Sequence, residues 1–135
     1  MQYAFSSPLS ETTENIRVSV RSAYITEESS TEQSYFVYAY KVEIQNESST
    51  PVQLLFRKWE IVDGFGDRRS VHGEGVIGRK PVILPKQSHS YMSGCHFKTP
   101  IGKMYGTYTM IRLDDQIEFE VTIPPFVLTL PALNN

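Results

Sequence analysis

Three glycines in the middle of the chain have the spacing of a phosphate-binding motif. Gly73, Gly75 and Gly78 complete a G-x-G-x-x-G pattern, and Arg79 follows directly. In dinucleotide-binding domains this pattern follows a strand and opens a helix, whose N-terminus binds the pyrophosphate. Here prolines stand at positions 81 and 85, and two prolines so close together are incompatible with a regular helix. The surrounding sequence therefore excludes a Rossmann-type site.

Two interpretations of this glycine-rich segment remain. Its backbone N–H groups can form a small anion-binding concavity, flanked by the side chains of Arg79 and Lys80. Residues 51–81 carry six basic and four acidic side chains, a local balance of +2 in a chain of net charge −2. Alternatively, the glycines supply positive φ angles at turns between strands, which is the interpretation we expect to apply. The first interpretation predicts a nucleotide- or pyrophosphate-binding protein, with these ligand-binding residues: Gly73, Gly75, Gly78 and Arg79.

Arg57 and Trp59 form a second candidate site. They stand two residues apart in a segment rich in β-forming residues, so their side chains share one face of a strand, and Lys58 takes the other. One interpretation is an interaction surface that combines a cation with an aromatic ring. The other is a core tryptophan of a β-sandwich, with the arginine reaching solvent at its edge.

The remaining histidine, cysteine and acidic residues lack the arrangements that catalysis or metal binding requires. His89 and Cys95 share one face of a predicted strand but lie about 20 Å apart along it, too far to bind one ion. Cys95 has no predicted helix N-terminus or neighbouring base to lower its pKa. Asp63, Asp67 and the acidic pair at 114–115 fall in predicted turns. We therefore expect no enzymatic activity, no catalytic residue, no metal site and no cofactor.

These candidate residues must be positioned by β-strands, because hydrophobic residues recur at every second position along most of the chain. No amphipathic helix and no internal repeat is predicted. About seven to nine strands at this spacing are typical of a sandwich or a barrel. The predicted strands cover residues 16–24, 35–45, 52–62, 70–72, 82–84, 88–97, 104–113 and 119–123, the last ending at Pro124-Pro125, with an extended edge at 126–130.

Length and composition indicate one globular domain over residues 1–135, in which residues 1–10 are expected to be a flexible tail. The net charge of −2 and a pI near 5.9 argue against a general nucleic-acid binder. No apolar stretch approaches the length of a membrane span, so we expect no membrane partner. A single cysteine is compatible with a reducing compartment, and the cytoplasm is the expected location.

Five motifs, spread in order from about Glu11 to Pro131, resemble those of ApaG proteins. The chain departs from the family pattern at Lys58, where His is common, at Lys86, where Gly often follows the proline, and at Met92, where Thr is common. None of these departures affects a glycine of the family motifs. The motifs are Val52-Gln53-Leu54-Leu55, Arg57-x-Trp59, Gly73-x-Gly75-Val76-x-Gly78, Gly102-x-Met104-x-Gly106-x-Tyr108 and Ile123-Pro124-Pro125-Phe126.

The resemblance implies a β-sandwich similar to immunoglobulin and fibronectin type III folds. It also implies a loose link to cobalt and magnesium tolerance in bacteria, and an interaction role where eukaryotic proteins carry the domain. The family has no assigned catalytic residue. We therefore expect a non-enzymatic interaction module with a protein partner, with homo-oligomerisation and a phosphate-containing small ligand as further alternatives.

Overall fold

The computed structural model describes residues 3–131, and this part of the chain forms nine β-strands and one short 3-10 helix. Alternating apolar and polar side chains produce the strands, and polar or glycine-containing turns join them. The 3-10 helix covers Thr26–Glu28. The strands are β1 (Leu9–Thr13), β2 (Ile16–Tyr24), β3 (Phe36–Asn46), β4 (Val52–Asp63), β5 (Arg68–Glu74), β6 (Val82–Ile83), β7 (Ser88–Phe97), β8 (Ile101–Arg112) and β9 (Glu118–Thr129).

Two antiparallel sheets pack face to face. The first has the strand order β1-β2-β3-β7 and the second β5-β4-β8-β9, with β6 pairing with the first residues of β4. On one side of the molecule β9 lies against β1 and β2, where the Thr122 N–H donates to the Thr13 hydroxyl at 3.2 Å. On the other side β5 and β7 are the outermost strands of their sheets. The prediction of an all-β sandwich of the immunoglobulin or fibronectin type III kind, with seven to nine antiparallel strands, is confirmed.

The core between the sheets is filled by the inward side chains of both layers. Trp59 packs among other aromatic rings of this core, with ring centroids 5.4 Å from Tyr40, 6.1 Å from Phe126 and 6.5 Å from Tyr108. The edge-to-face contacts among these rings favour this arrangement beyond the burial of apolar surface. Trp59 is only 2% exposed.

The N-terminal part of the chain is more ordered than expected. Leu9 and Ser10 belong to β1, which pairs with β2, so the prediction of a tail over residues 1–10 is wrong at these two positions. The turn between β1 and β2 is formed by Glu14 and Asn15, both at positive φ, the geometry of a two-residue hairpin turn. The first two residues of the expected tail lie outside the described residues.

The last strand unites two segments that the sequence predicted separately. The sequence predicted a strand that stops at Pro124-Pro125 and an extended edge over 126–130, whereas β9 runs through both prolines to Thr129 as one strand. Pairing with β8 shifts there, because Met104 pairs with Phe126 and Gly106 pairs with Ile123. The two prolines thus fall in a bulge of an edge strand, where a missing N–H breaks no regular ladder.

Candidate functional site

A bulge in β4 directs Arg57 toward the interior of the sandwich. The register with β8 shifts between Leu54 and Phe56, so the inward face continues through Arg57 and Trp59 instead of Phe56 and Lys58. The predicted sharing of one strand face by Arg57 and Trp59 is confirmed by this alternation. Because Arg57 stands beside the edge of the sheet, its guanidinium remains partly exposed while Trp59 is buried.

The Arg57 guanidinium is anchored by backbone carbonyl groups. Its Nη1 donates to the carbonyl oxygens of Glu74 at 3.1 Å and Gly75 at 2.9 Å. A Cβ at position 73 would lie 3.3 Å from both Nη atoms, so Gly73 leaves the space in which the guanidinium rests. Within residues 3–131 the ion pairs join other side chains, and no carboxylate pairs with Arg57. The Arg57 guanidinium is therefore a positive charge held in a fixed position. Its Nε–H and Nη2–H groups are not used by the two carbonyl groups.

The glycine-rich segment forms a tight turn that closes over Arg57. Val76 and Arg79 exchange two backbone hydrogen bonds, of 2.8 and 3.0 Å, across Ile77 and Gly78. Ile77 and Gly78 have φ values of 47° and 71°, so this is a two-residue turn of type I′. Val76 is buried in the core, and the Gly75 N–H donates to the Leu55 carbonyl at 2.9 Å.

Three tyrosines from both sheets converge on the same place. Tyr40 of β3 and Tyr91 of β7 come from one sheet, and Tyr108 of β8 comes from the other. The hydroxyls of Tyr91 and Tyr108 are hydrogen-bonded to each other. Burial raises the pKa of all three phenols, and the positive charge of Arg57 partly opposes each shift. The phenols are therefore neutral hydrogen-bonding groups at ordinary pH.

These elements enclose a pocket of about 160 Å³ between the sheets on the side where β5 and β7 are the edge strands. We call it the tyrosine–arginine pocket. One wall comes from β7, a second from β4, and the turn at 76–79 forms its rim. Its lining residues are Tyr40, Arg57, Trp59, Val76, Ile77, Gly78, Tyr91 and Ser93.

The pocket brings together two candidate sites that the sequence treated separately. Arg57 and Trp59 form one wall and Gly78 lies at the rim, while Gly73 and Gly75 support the arginine from behind. The expectation of an interaction surface on Trp59 needs correction, because this ring is buried by the core aromatics and only Arg57 reaches solvent.

The glycines serve backbone geometry in this turn. The N–H groups of Gly75, Val76 and Arg79 all donate hydrogen bonds within the protein. The carbonyl groups of Glu74 and Gly75 accept hydrogen bonds from the guanidinium of Arg57. These three amides are thus not directed toward an external anion, as a phosphate-binding concavity would require. Gly75 and Gly78 both have positive φ, as the turn interpretation predicts.

Sequence reasoning missed the residues of β3 and β7 in this pocket. Tyr91 and Ser93 alternate with polar neighbours in β7, and the same pattern occurs in any half-buried edge strand. Tyr40 lies in a run of aromatic residues that also fits a purely structural core. The sequence does predict that Tyr91 and Ser93 lie on one face of a strand. It does not predict which residues of the other sheet form the opposite wall of the pocket.

The backbone of β7 forms a second feature on this side of the molecule. The Asn46 N–H donates to the Gln87 carbonyl at 2.9 Å, so odd-numbered residues of β7 bond to β3. The even-numbered residues then direct their N–H and C=O groups away from β3. The carbonyl of the even-numbered His96 agrees with this, because it accepts a hydrogen bond from Arg69 Nη2 at 3.1 Å instead of from β3. The outward backbone groups belong to Ser88, Ser90, Met92, Gly94 and His96.

The described residues contain neither a metal-binding cluster nor a membrane-spanning helix. Across residues 3–131, no three His, Cys, Asp or Glu side chains are grouped so that they could hold a metal ion. In the same range there is also no helix with the length and apolar character needed to cross a membrane.

Comparison with known proteins places the chain among close relatives. The ApaG domain family matches residues 26–112. Protein ApaG of Methylobacterium sp. strain 4-46 is 47% identical over 119 residues, which cover 88% of this chain and 91% of that protein. Protein ApaG of Pseudomonas aeruginosa is 42% identical over 92% of this chain and 98% of its own length.

A solved structure agrees with the fold. The crystal structure of a protein from Bordetella pertussis, described as ApaA, superimposes with a TM-score of 0.84 at 41% sequence identity. The match covers 86% of this chain and 94% of that one. Family match, sequence identity and fold thus agree over most of the length, and the chain belongs to the ApaG family.

Proposed function

We propose that this chain is a non-enzymatic interaction domain that binds an extended segment of a partner protein along the open edge of β7. A peptide strand added to that edge would extend the first sheet and pair with the outward backbone groups of Ser90, Met92 and Gly94. The observation that carries the proposal is that β7 has none of the features that usually prevent an edge strand from pairing with another chain.

The strands at the two ends of each sheet differ in how they are protected against pairing with another chain. The 10-residue β7 contains no proline and no Lys, Arg, Asp or Glu, and its register with β3 is unbroken. By contrast, β5 carries Arg68, Arg69 and Glu74, β1 is five residues long, and β9 contains two prolines and a bulge. Charges, prolines, bulges and short length are the usual means of blocking edge pairing, and β7 uses none of them.

The absence of enzymatic activity is part of this proposal. Besides Arg57, the titratable groups that line the tyrosine–arginine pocket are the phenols of Tyr40 and Tyr91, whose pKa is raised by burial, which suits them to hydrogen bonding more than to proton transfer near neutral pH. Any effect on cobalt or magnesium homeostasis would then pass through the bound partner, in the cytoplasm. Nucleotide or pyrophosphate binding has less support, because the pocket of about 160 Å³ is smaller than ordinary ligand sites and three amides of the turn are already bonded.

The test is selection of peptides from a random library, followed by hydrogen exchange and mutation. We expect selected peptides to slow the exchange of the Ser90, Met92 and Gly94 amides. Met92→Pro removes one outward N–H without removing a bond to β3, and should weaken peptide binding at least tenfold. The matched control is Val127→Lys, at an edge residue of β9 that is 53% exposed, compared with 51% for Met92.

Each outcome of the selection bears on the proposal. Peptides that bind Met92→Pro as well as the native protein, or that protect amides elsewhere, would contradict it, and so would a selection that returns no binder. A second copy of the chain is an alternative source of the added strand. In that case the native protein should be a dimer by analytical ultracentrifugation, and Met92→Pro should be a monomer.

A further inference from the structure

We infer that the tyrosine–arginine pocket is a binding site for a small organic carboxylate with a short apolar tail. The carboxylate would accept hydrogen bonds from Arg57 and neighbouring hydroxyl groups, and the tail would lie beneath Ile77. This site uses inward side chains of β7, whereas peptide binding uses its outward backbone, so the inference does not rest on the function proposed above.

The charge distribution in the pocket favours one anion. Arg57 is the positively charged group among the lining residues, and none of them is acidic. Two backbone carbonyls fix its Nη1 at 3.1 and 2.9 Å, which orients the guanidinium before any ligand binds. A guanidinium with Nε and Nη2 available has the planar geometry that matches a carboxylate. Tyr40, Tyr91 and Ser93 add hydroxyl groups within the same pocket, where Tyr40 bonds to Ser93 and Tyr91 bonds to Tyr108, so that each of these pairs keeps one proton to donate.

The size of the pocket limits the ligand to a few non-hydrogen atoms. A cavity near 150 Å³ accommodates a molecule of about the size of benzene. The volume of about 160 Å³ therefore suits a carboxylic acid of about six to nine non-hydrogen atoms, from butyrate to benzoate size. A nucleotide is several times larger.

Ile77 provides an independent observation at the rim. It is a β-branched residue at φ 47° in a turn that favours Asn or Gly, and it is 61% exposed. Neither turn geometry nor core packing accounts for isoleucine at this position. Residues in unfavourable backbone conformations concentrate at ligand-binding sites, and an apolar side chain over the pocket would cover the tail of a bound acid.

The experiment titrates the protein with acetate, butyrate, butyramide and inorganic phosphate, monitored by two-dimensional NMR. We expect butyrate to shift the Arg57 Nε–Hε signal and the amides of Gly78 and Ser93, with a dissociation constant in the millimolar range. Two additional methylene groups should make butyrate about tenfold tighter than acetate. Butyramide, which lacks the charge, should bind at least tenfold more weakly than butyrate.

Variants separate this site from a general effect of positive charge. Arg57→Gln should weaken butyrate binding at least tenfold, whereas Arg79→Gln, an exposed position in the same turn, should change it less than twofold. Ile77→Gly should reduce the preference for butyrate over acetate to about threefold or less. This last variant tests the pocket even if Arg57→Gln does not fold.

Several results would overturn the inference. These are equal binding of butyrate and butyramide, tighter binding of phosphate at the same signals, or no saturable shift up to 100 mM butyrate, a concentration that corresponds to about 1.4 kcal/mol of binding free energy. Unchanged binding by folded Arg57→Gln would do so as well. Because peptide selection detects the edge of β7 and these titrations detect the pocket, failure of one does not imply failure of the other.

Discussion

At the scale of single residues, Gly75 shows why the glycine pattern exists. Its φ is +63°, and an added Cβ would lie 2.1 Å from the Arg79 carbonyl oxygen, a backbone atom that cannot move independently of the turn. We expect Gly75→Ala to lower the free energy of unfolding by about 2–4 kcal/mol, because backbone strain and overlap add. Urea denaturation monitored by tryptophan fluorescence measures this loss.

Gly78 is the matched control for that substitution. Its φ is similar, at +71°, but an added Cβ would meet nothing within 4 Å. Gly78→Ala should therefore cost only the strain of the left-handed conformation, about 1 kcal/mol. Equal losses for the two variants would show that the close approach to Arg79 contributes nothing.

Residue types predicted the members of the site better than their arrangement. Alternation alone placed Arg57 and Trp59 on one strand face, and the prolines after Gly78 correctly excluded a helix. The inward direction of that face depends on the bulge between Leu54 and Phe56, and no glycine or other residue in the sequence marks this irregularity. The contact between Arg57 and the Glu74 carbonyl then requires β5 to pair with β4, which is a tertiary property.

At the scale of elements, the turn at 76–79 contains an unfavourable residue. A non-glycine residue in the left-handed region costs roughly 1–2 kcal/mol, and Asn tolerates this region better than a β-branched residue. Ile77→Asn would create the preferred Asn-Gly pair of a type I′ turn, and should raise the free energy of unfolding by about 0.5–1 kcal/mol. Thermal and urea denaturation measure the gain, and a loss of stability would show that Ile77 contributes more by packing than its exposure suggests.

Local patterns also explain which elements were predicted and which were not. The bounds of β2 and β7 follow from regular alternation, and both match the sequence expectation. The strand β1 escaped prediction because its hairpin turn is Glu14-Asn15, without the glycine that usually marks such turns. The extended edge predicted over 126–130 belongs to β9, and its union with the preceding segment depends on pairing with β8 on both sides of Pro124-Pro125, which local sequence does not show.

At the scale of the whole molecule, both proposed sites lie on the same side of the sandwich. The opposite side is closed where β9 contacts β1 and β2, whereas β5 and β7 end their sheets next to the pocket. A ligand can therefore approach the buried aromatic cluster here without opening the core. The same cluster carries several groups that remain neutral in the folded protein, and this affects the stability of the whole domain at high pH.

We expect the domain to lose stability steeply above about pH 9. Burial raises the pKa of the Cys95 thiol from 9.0 to about 12, and also raises the pKa of Tyr38, Tyr91 and Tyr108 above 10.0. Below pH 9 these groups are protonated in both states and do not affect stability. As the pH rises further, the unfolded chain ionises first, so each group lowers the free energy of unfolding by about 1.4 kcal/mol per pH unit until its folded pKa is reached.

Urea denaturation of the native protein and of Cys95→Ala at several pH values between 7 and 10.5 tests this linkage. The variant starts less stable, because a small apolar group is lost from a partly buried position that packs against the core, but its stability should fall less steeply above pH 9. By pH 10.5 the two curves should have converged by about 2 kcal/mol, which is the contribution of one thiol over 1.5 pH units. Parallel curves would show that the thiol ionises as readily in the folded protein as in the unfolded chain, and would place Cys95 in contact with water.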